Sequence, residues 1–206
     1  MSPEPVASGP ALDDEDRVRA DLYALLARLY YQGPDAGVLA LIAEAGAGIA
    51  QVTGSPFAAA SQAVAAAASS AEPAAVQQEY DDLFVGTGRA EVSPYATYYL
   101  AQTGRDNILV GLRSELAGIG LSRKETSLEP EDHFAGLFDV MRHLVQRGSD
   151  DAALQNQRHF FDRFISRSYE GFCAAIENCG RSEFYARVGV LTRTFLDIEK
   201  ESMKML

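Results

Sequence analysis

The chain has 206 residues, 47% hydrophobic and 23% charged, with a net charge of −11. A chain of this length buries roughly 70% of its unfolded surface, enough for a sizeable core without metals or disulfides. A duplex binder needs Lys and Arg to neutralise phosphates, so the acidic balance argues against nucleic acid as partner and permits a cationic one. The opening MSPEPVASGPALDDED has neither the basic nor the apolar region of a secretory signal, and no apolar run approaches the ~20 residues of a membrane span; the expected location is the cytoplasm. Cys173 and Cys179 match no zinc spacing and make no disulfide framework.

Residues 1–12, with three prolines and little bulk, read as a mobile tail, and 13–206 as a single helical domain. Asp13 or Asp14 caps a helix to about Tyr31, with Val18, Leu22, Leu25, Leu26 and Leu29 on one face and Gly33-Pro34 as the stop. DAGVLALIAEAGAG is a second helical run. FAAASQAVAAAASSA is a third, whose alanines suit the periphery or close packing. From Pro73 a helix places Val76, Tyr80, Leu83 and Phe84 on one face and ends at Gly86. A loop follows to Ser93-Pro94, where a short helix starts.

Asp106 opens a run with Ile108, Leu112, Leu116 and Ile119 in register. After a polar connector, Pro130 is read as the start of the clearest amphipathic helix, with Glu129, Glu131 and Asp132 in its first turn, where the helix dipole favours anions. Asp150 or Asp151 caps a long run through Phe160, Phe161, Phe164, Ile165, Phe172 and Ile176, and Ser182 caps the last helix. Only VSPYATYYL could be a strand, and Pro94 demotes it. The fold class is all-α, a single compact domain of about nine or more helices.

Catalytic patterns are absent: no phosphate-cradling GxxxxGK[ST], no HExxH, no GxSxG and no Cys-x-x-Cys. Gly86-Thr87-Gly88 follows a helix rather than a strand, so it reads as a helix end and a turn. His133, His143 and His159 have no partner at metal-ligand spacing. Neither an enzyme, nor a metal, nor a resident cofactor is expected. Asp132 and His133 are helix neighbours about 100° apart and so form no natural acid–base dyad; on a wheel His133 edges the apolar stripe and Asp132 lies opposite. The tyrosines after the glycine break, Tyr95, Tyr98 and Tyr99, have the composition of a binding surface. An aromatic groove under an acidic field suits a peptide both hydrophobic and basic.

EYDDLFVGTGRAEVSPYATYY resembles the signature of the TorD/DmsD/NarJ-type redox-enzyme maturation chaperones, a helix ending in aromatic-x-x-Leu-Phe-x-Gly and a loop to Ser-Pro-Tyr/Trp. EPEDHFAGLFDVM resembles their second signature, and FYARVGVLTRTFLDIE their closing helix. The resemblance spans about residues 14–200. It implies a chaperone that binds the twin-arginine signal peptide and apo catalytic subunit of a molybdenum-cofactor enzyme until the cofactor is inserted. By motif position the implied peptide-binding residues are Tyr80, Leu83, Phe84, Pro94, Tyr95, Asp132 and His133, with Asp132 a partner for a signal-peptide arginine. Tyr80 and Tyr95 stand where Trp is frequent, and Thr87 where Pro is. A monomer with some domain-swapped dimer is the implied state. The competing reading is a GTP-binding or hydrolysing helical protein, on the example of some relatives. A ligand-sensing regulator would carry a basic DNA-reading helix, which this chain lacks.

Overall fold

A computed structural model describes residues 12–49, 54–86, 90–100, 105–121 and 130–205. The expected tail, apart from Leu12, lies outside them, as do Thr87, Gly88, Glu129 and most of the polar connector. Helix α1 (Asp14–Tyr31) begins where Asp13 accepts the Asp16 amide at 2.7 Å, and stops one residue before Gly33-Pro34. Helix α2 (Ala36–Ile49) lies against α3 (Pro56–Ser70), and a methyl group on Gly46 would collide with the Ala65 side chain. Of the two options for the alanine-rich helix, close packing is realised: Ala58, Ala60, Val64, Ala65 and Ala68 are buried.

Helix α4 (Pro73–Tyr80) runs directly into a π turn, Asp81–Val85, that ends at Gly86 with φ of 59°. A 3-10 turn (Ala96–Tyr99) and α5 (Arg105–Gly118) follow. Helix α6 (Phe134–Gln146) starts four residues later than Pro130 because residues 132–134 bond to another segment before the helix begins. The long run expected after Asp150 is instead α7 (Asp151–Phe160), a second π turn (Phe161–Ile165) and α8 (Tyr169–Glu177). Among the described residues there is no strand, only one isolated bridge.

The last helix, α9 (Phe184–Lys204), has no side-chain cap from its own segment. Ser182 is displaced from that role by Glu79 of α4, whose carboxylate accepts the amides of Glu183 (2.8 Å), Phe184 (3.1 Å) and Tyr185 (2.8 Å). An anion belongs at this end of a helix, where amides lack intrahelical partners. Glu79→Ala is therefore expected to lose about 2 kcal/mol in denaturant unfolding, with an unchanged slope. Glu79→Gln, which keeps one acceptor oxygen, should fall between. An unchanged midpoint for both would remove Glu79 from the cap.

The core is aromatic and lies between α1, α6, α8 and α9, with Tyr23, Tyr30, Phe138, Phe172 and Tyr185 fully buried. Burial, first among the causes, pushes the phenols of Tyr23, Tyr30, Tyr169 and Tyr185 above their ordinary value of 10.0. A phenol with a raised folded pKa leaves stability intact below the unfolded pKa. Above it the unfolded chain loses its protons first, so stability falls as pH rises. Chemical denaturation should show little change from pH 8 to 9.5 and a loss between pH 10 and 11.5, at up to about 1.4 kcal/mol per phenol per pH unit. A gain in stability over that window would contradict the buried phenols.

Candidate functional site

The site is built from two stretches that are far apart in sequence. In the first, α4 and its π turn aim Val76, Tyr80, Leu83 and Phe84 at the core. The widened turn takes one residue more than an α turn, and Leu83 and Phe84 both face inward while Val85 is left 60% exposed. The Tyr80 hydroxyl donates to the Tyr31 carbonyl at 2.7 Å, and Phe84 meets Tyr185 edge-on at 5.1 Å. After the glycine break the chain returns, and the Val92 amide donates to the Leu83 carbonyl at 2.9 Å.

The second stretch then meets the first. The Ala96 amide donates to the Asp132 carbonyl at 2.9 Å, and the Phe134 amide to the Pro94 carbonyl at 2.9 Å. Tyr95 and His133 are the opposed pair of this antiparallel bridge, with their rings edge-to-face at 5.4 Å. The Asp132 carboxylate accepts the Thr97 hydroxyl at 2.6 Å and its amide at 3.3 Å. His133 Nδ1 accepts the Ala135 amide at 3.1 Å and so caps α6. Outside this joint, Glu131 takes both Nε (3.0 Å) and Nη2 (3.2 Å) of Arg113 from α5. The hydrogen bond and charge of Glu131, with the charge of Asp132 behind it, hold the Arg113 pKa above its ordinary value.

Several sequence expectations change here. Tyr80, Leu83 and Phe84 form no surface groove: they are core residues, 7%, 0% and 6% exposed. Their composition is equally that of a core, and the one polar tip, on Tyr80, is satisfied inside it. Pro94 is buried too, whereas Tyr95 is half-buried and Tyr98 exposed. Asp132 and His133 are both buried, not on opposite sides of a wheel, because neither is helical. They form no dyad with one another; each is committed to a different neighbour. The Asp132 carboxylate is already held by Thr97, so its availability to an arginine is not that of a bare surface acid. Thr97 and Arg113 carried no signal in sequence, because what marks them is the distant chain they touch. Glu131 was visible only as one acid among three.

Two segments about 40 residues apart are thus welded into one joint on a body that is all-helical over the described residues. Residues 52–174 match the family model described as nitrate reductase delta subunit, so the chain belongs to that family, of the NarJ/TorD type. A crystal structure of a protein assigned as a redox enzyme maturation protein from Archaeoglobus fulgidus shares the fold. Its TM-score is 0.57 at 18% identity, covering 94% of this chain and 99% of that one. No curated protein matches the sequence. Among the described residues no helix is long and apolar enough to cross a membrane, and no three His, Cys, Asp or Glu side chains gather as a metal-ligand set.

Proposed function

We propose that the protein is a cytoplasmic chaperone that binds the twin-arginine signal peptide and apo form of a molybdenum-cofactor oxidoreductase subunit, assisting cofactor insertion and preventing premature export. The observation that carries this reading is the joint itself: the two family signatures meet in one place, through backbone hydrogen bonds that neither could make alone. Its outer rim combines the two demands of such a peptide. Tyr95, Tyr98 and Val85 offer apolar area to the hydrophobic part, and Glu131 with Asp132 behind it draws the basic part. Tyr80, Leu83, Phe84, Pro94, Asp132 and His133 serve the peptide from beneath, by holding the rim in place. The role is binding, without chemistry of its own, and the working form is a monomer with a minor domain-swapped dimer.

Calorimetry against a synthetic twin-arginine signal peptide tests the reading. Saturable binding is expected to weaken roughly tenfold or more in Tyr95→Ala, and to weaken likewise when both peptide arginines become alanine. Thr97→Val, which removes the hydroxyl that holds the Asp132 carboxylate in position, should also weaken it. A folded protein that binds no such peptide would overturn the proposal.

A further inference from the structure

The ion pair at the edge of the joint has a geometry that a surface pair does not need. Arg113 and Glu131 meet side-on, Nε to Oε1 at 3.0 Å and Nη2 to Oε2 at 3.2 Å, the two-point fit that distinguishes guanidinium from ammonium. The two partners are unequally placed. The Glu131 side chain is 11% exposed and the Arg113 side chain 59%. The acceptor is thus built into the surface while its occupant lies mostly in solvent. Helix α5 contributes Leu112 and Leu116 to the core, and Arg113 projects from it toward the joint. Glu131 is also next in sequence to Asp132, whose carboxylate receives hydrogen bonds from Thr97 and, among the described residues, makes no direct ion pair. One guanidinium therefore faces two adjacent carboxylates, in a protein already carrying −11.

We propose that Arg113 is an internal stand-in for an arginine of the signal peptide, and that Glu131 is the carboxylate for which the two compete. The inference rests on the peptide-binding reading above and specifies its recognition step. In the free protein Arg113 occupies Glu131. An incoming arginine replaces it with the same two hydrogen bonds, and a second arginine adds the charge that Asp132 lacks. Exchange of one guanidinium for another leaves no carboxylate stranded, so the acceptor is shielded from adventitious cations yet open to a peptide that brings two arginines. A lysine pair cannot reproduce the two-point fit and is selected against.

The test is calorimetry with the full chain and a synthetic twin-arginine signal peptide, its Lys-Lys counterpart, and four variants checked for helical content by circular dichroism. Arg113→Ala should bind the arginine peptide about two- to fivefold more tightly, since the fraction of protein with a free acceptor rises by the weight of one exposed ion pair. Glu131→Gln should bind it roughly tenfold more weakly, and adding Arg113→Ala to it should restore nothing. Arg158→Ala removes the same charge elsewhere and should leave affinity unchanged. Unchanged or weakened binding by Arg113→Ala, or an equal gain from Arg158→Ala, would overturn the competition while wild-type binding and its loss in Tyr95→Ala keep the peptide site. Binding by neither the wild type nor any variant would overturn both.

Discussion

Replacing Arg19 with alanine is expected to cost about 3–5 kcal/mol of unfolding free energy. Arg19 sits on α1 with its side chain 15% exposed and reaches three other carboxylate or amide groups. Its Nε and Nη2 grip the Glu199 carboxylate of α9 at 2.8 and 2.9 Å, Nη1 takes Asp16 at 2.7 Å, and Nη2 also reaches Gln157 of α7 at 3.1 Å. Tyr23 donates a further 2.9 Å bond to Glu199. Burial works against the guanidinium charge, but the bonds and charges of Glu199 and Asp16 prevail and hold its pKa above the ordinary value. The cost of the substitution comes from what remains. Glu199 and Asp16, 2% and 5% exposed, would be left as buried acids with their cation gone. A loss under about 1 kcal/mol at neutral pH would show that the network contributes no more than an exposed pair.

Phe172→Ala is expected to cost a similar 3–5 kcal/mol for a different reason, an unfilled cavity. Phe172 is fully buried on α8 and stacks on Phe134 with ring centroids 4.1 Å apart and planes at 14°. It also meets Tyr30 at 4.9 Å, Tyr99 at 5.9 Å and Phe84 at 6.4 Å. Phe84 and Tyr99 belong to the first signature and Phe134 to the second, so this one ring lies beneath both. The variant should therefore weaken peptide binding as well as stability, and should lose near-ultraviolet circular dichroism while keeping its helical signal. Phe172→Leu, which refills part of the volume, should recover about half of the stability. A Phe172→Ala protein of unchanged midpoint would mean the ring cluster repacks freely.

What could be read in sequence was whatever a local period carries. The start of α1 at Asp13, the end of the π turn at Gly86 and the registers of α6 and α9 follow from caps and apolar spacing within one segment. The errors share a cause, which is that a distant segment decided the local structure. Pro130 has the chemistry of a first helical residue, but Asp132 and Phe134 give their carbonyl and amide to Ala96 and Pro94, so the helix waits until Phe134. A wheel drawn from Pro130 then misplaces Asp132 and His133 by treating a turn residue and an extended cap residue as helical. Ser182 is a good cap by type, yet Glu79 reaches α9 first from across the fold. The π turns leave no periodic trace, since one additional residue in a single turn looks like ordinary scatter. The position of the candidate site was legible because both motifs were; its chemistry was not, because Thr97 and Arg113 matter only through what they touch.

The bridge between Tyr95 and His133 also makes the chain between them a closed ring, pinned at its base and including α5. The conformational freedom lost in closing such a ring grows only with the logarithm of its circumference, so doubling it costs about 0.6 kcal/mol. Length can therefore be added within the ring with little effect on its base. The geometry at residues 94–97 and 132–134 is in this sense independent of how far the intervening chain travels. A small foreign peptide grafted between α5 and Pro130 would enlarge the hoop while leaving its clasp fastened.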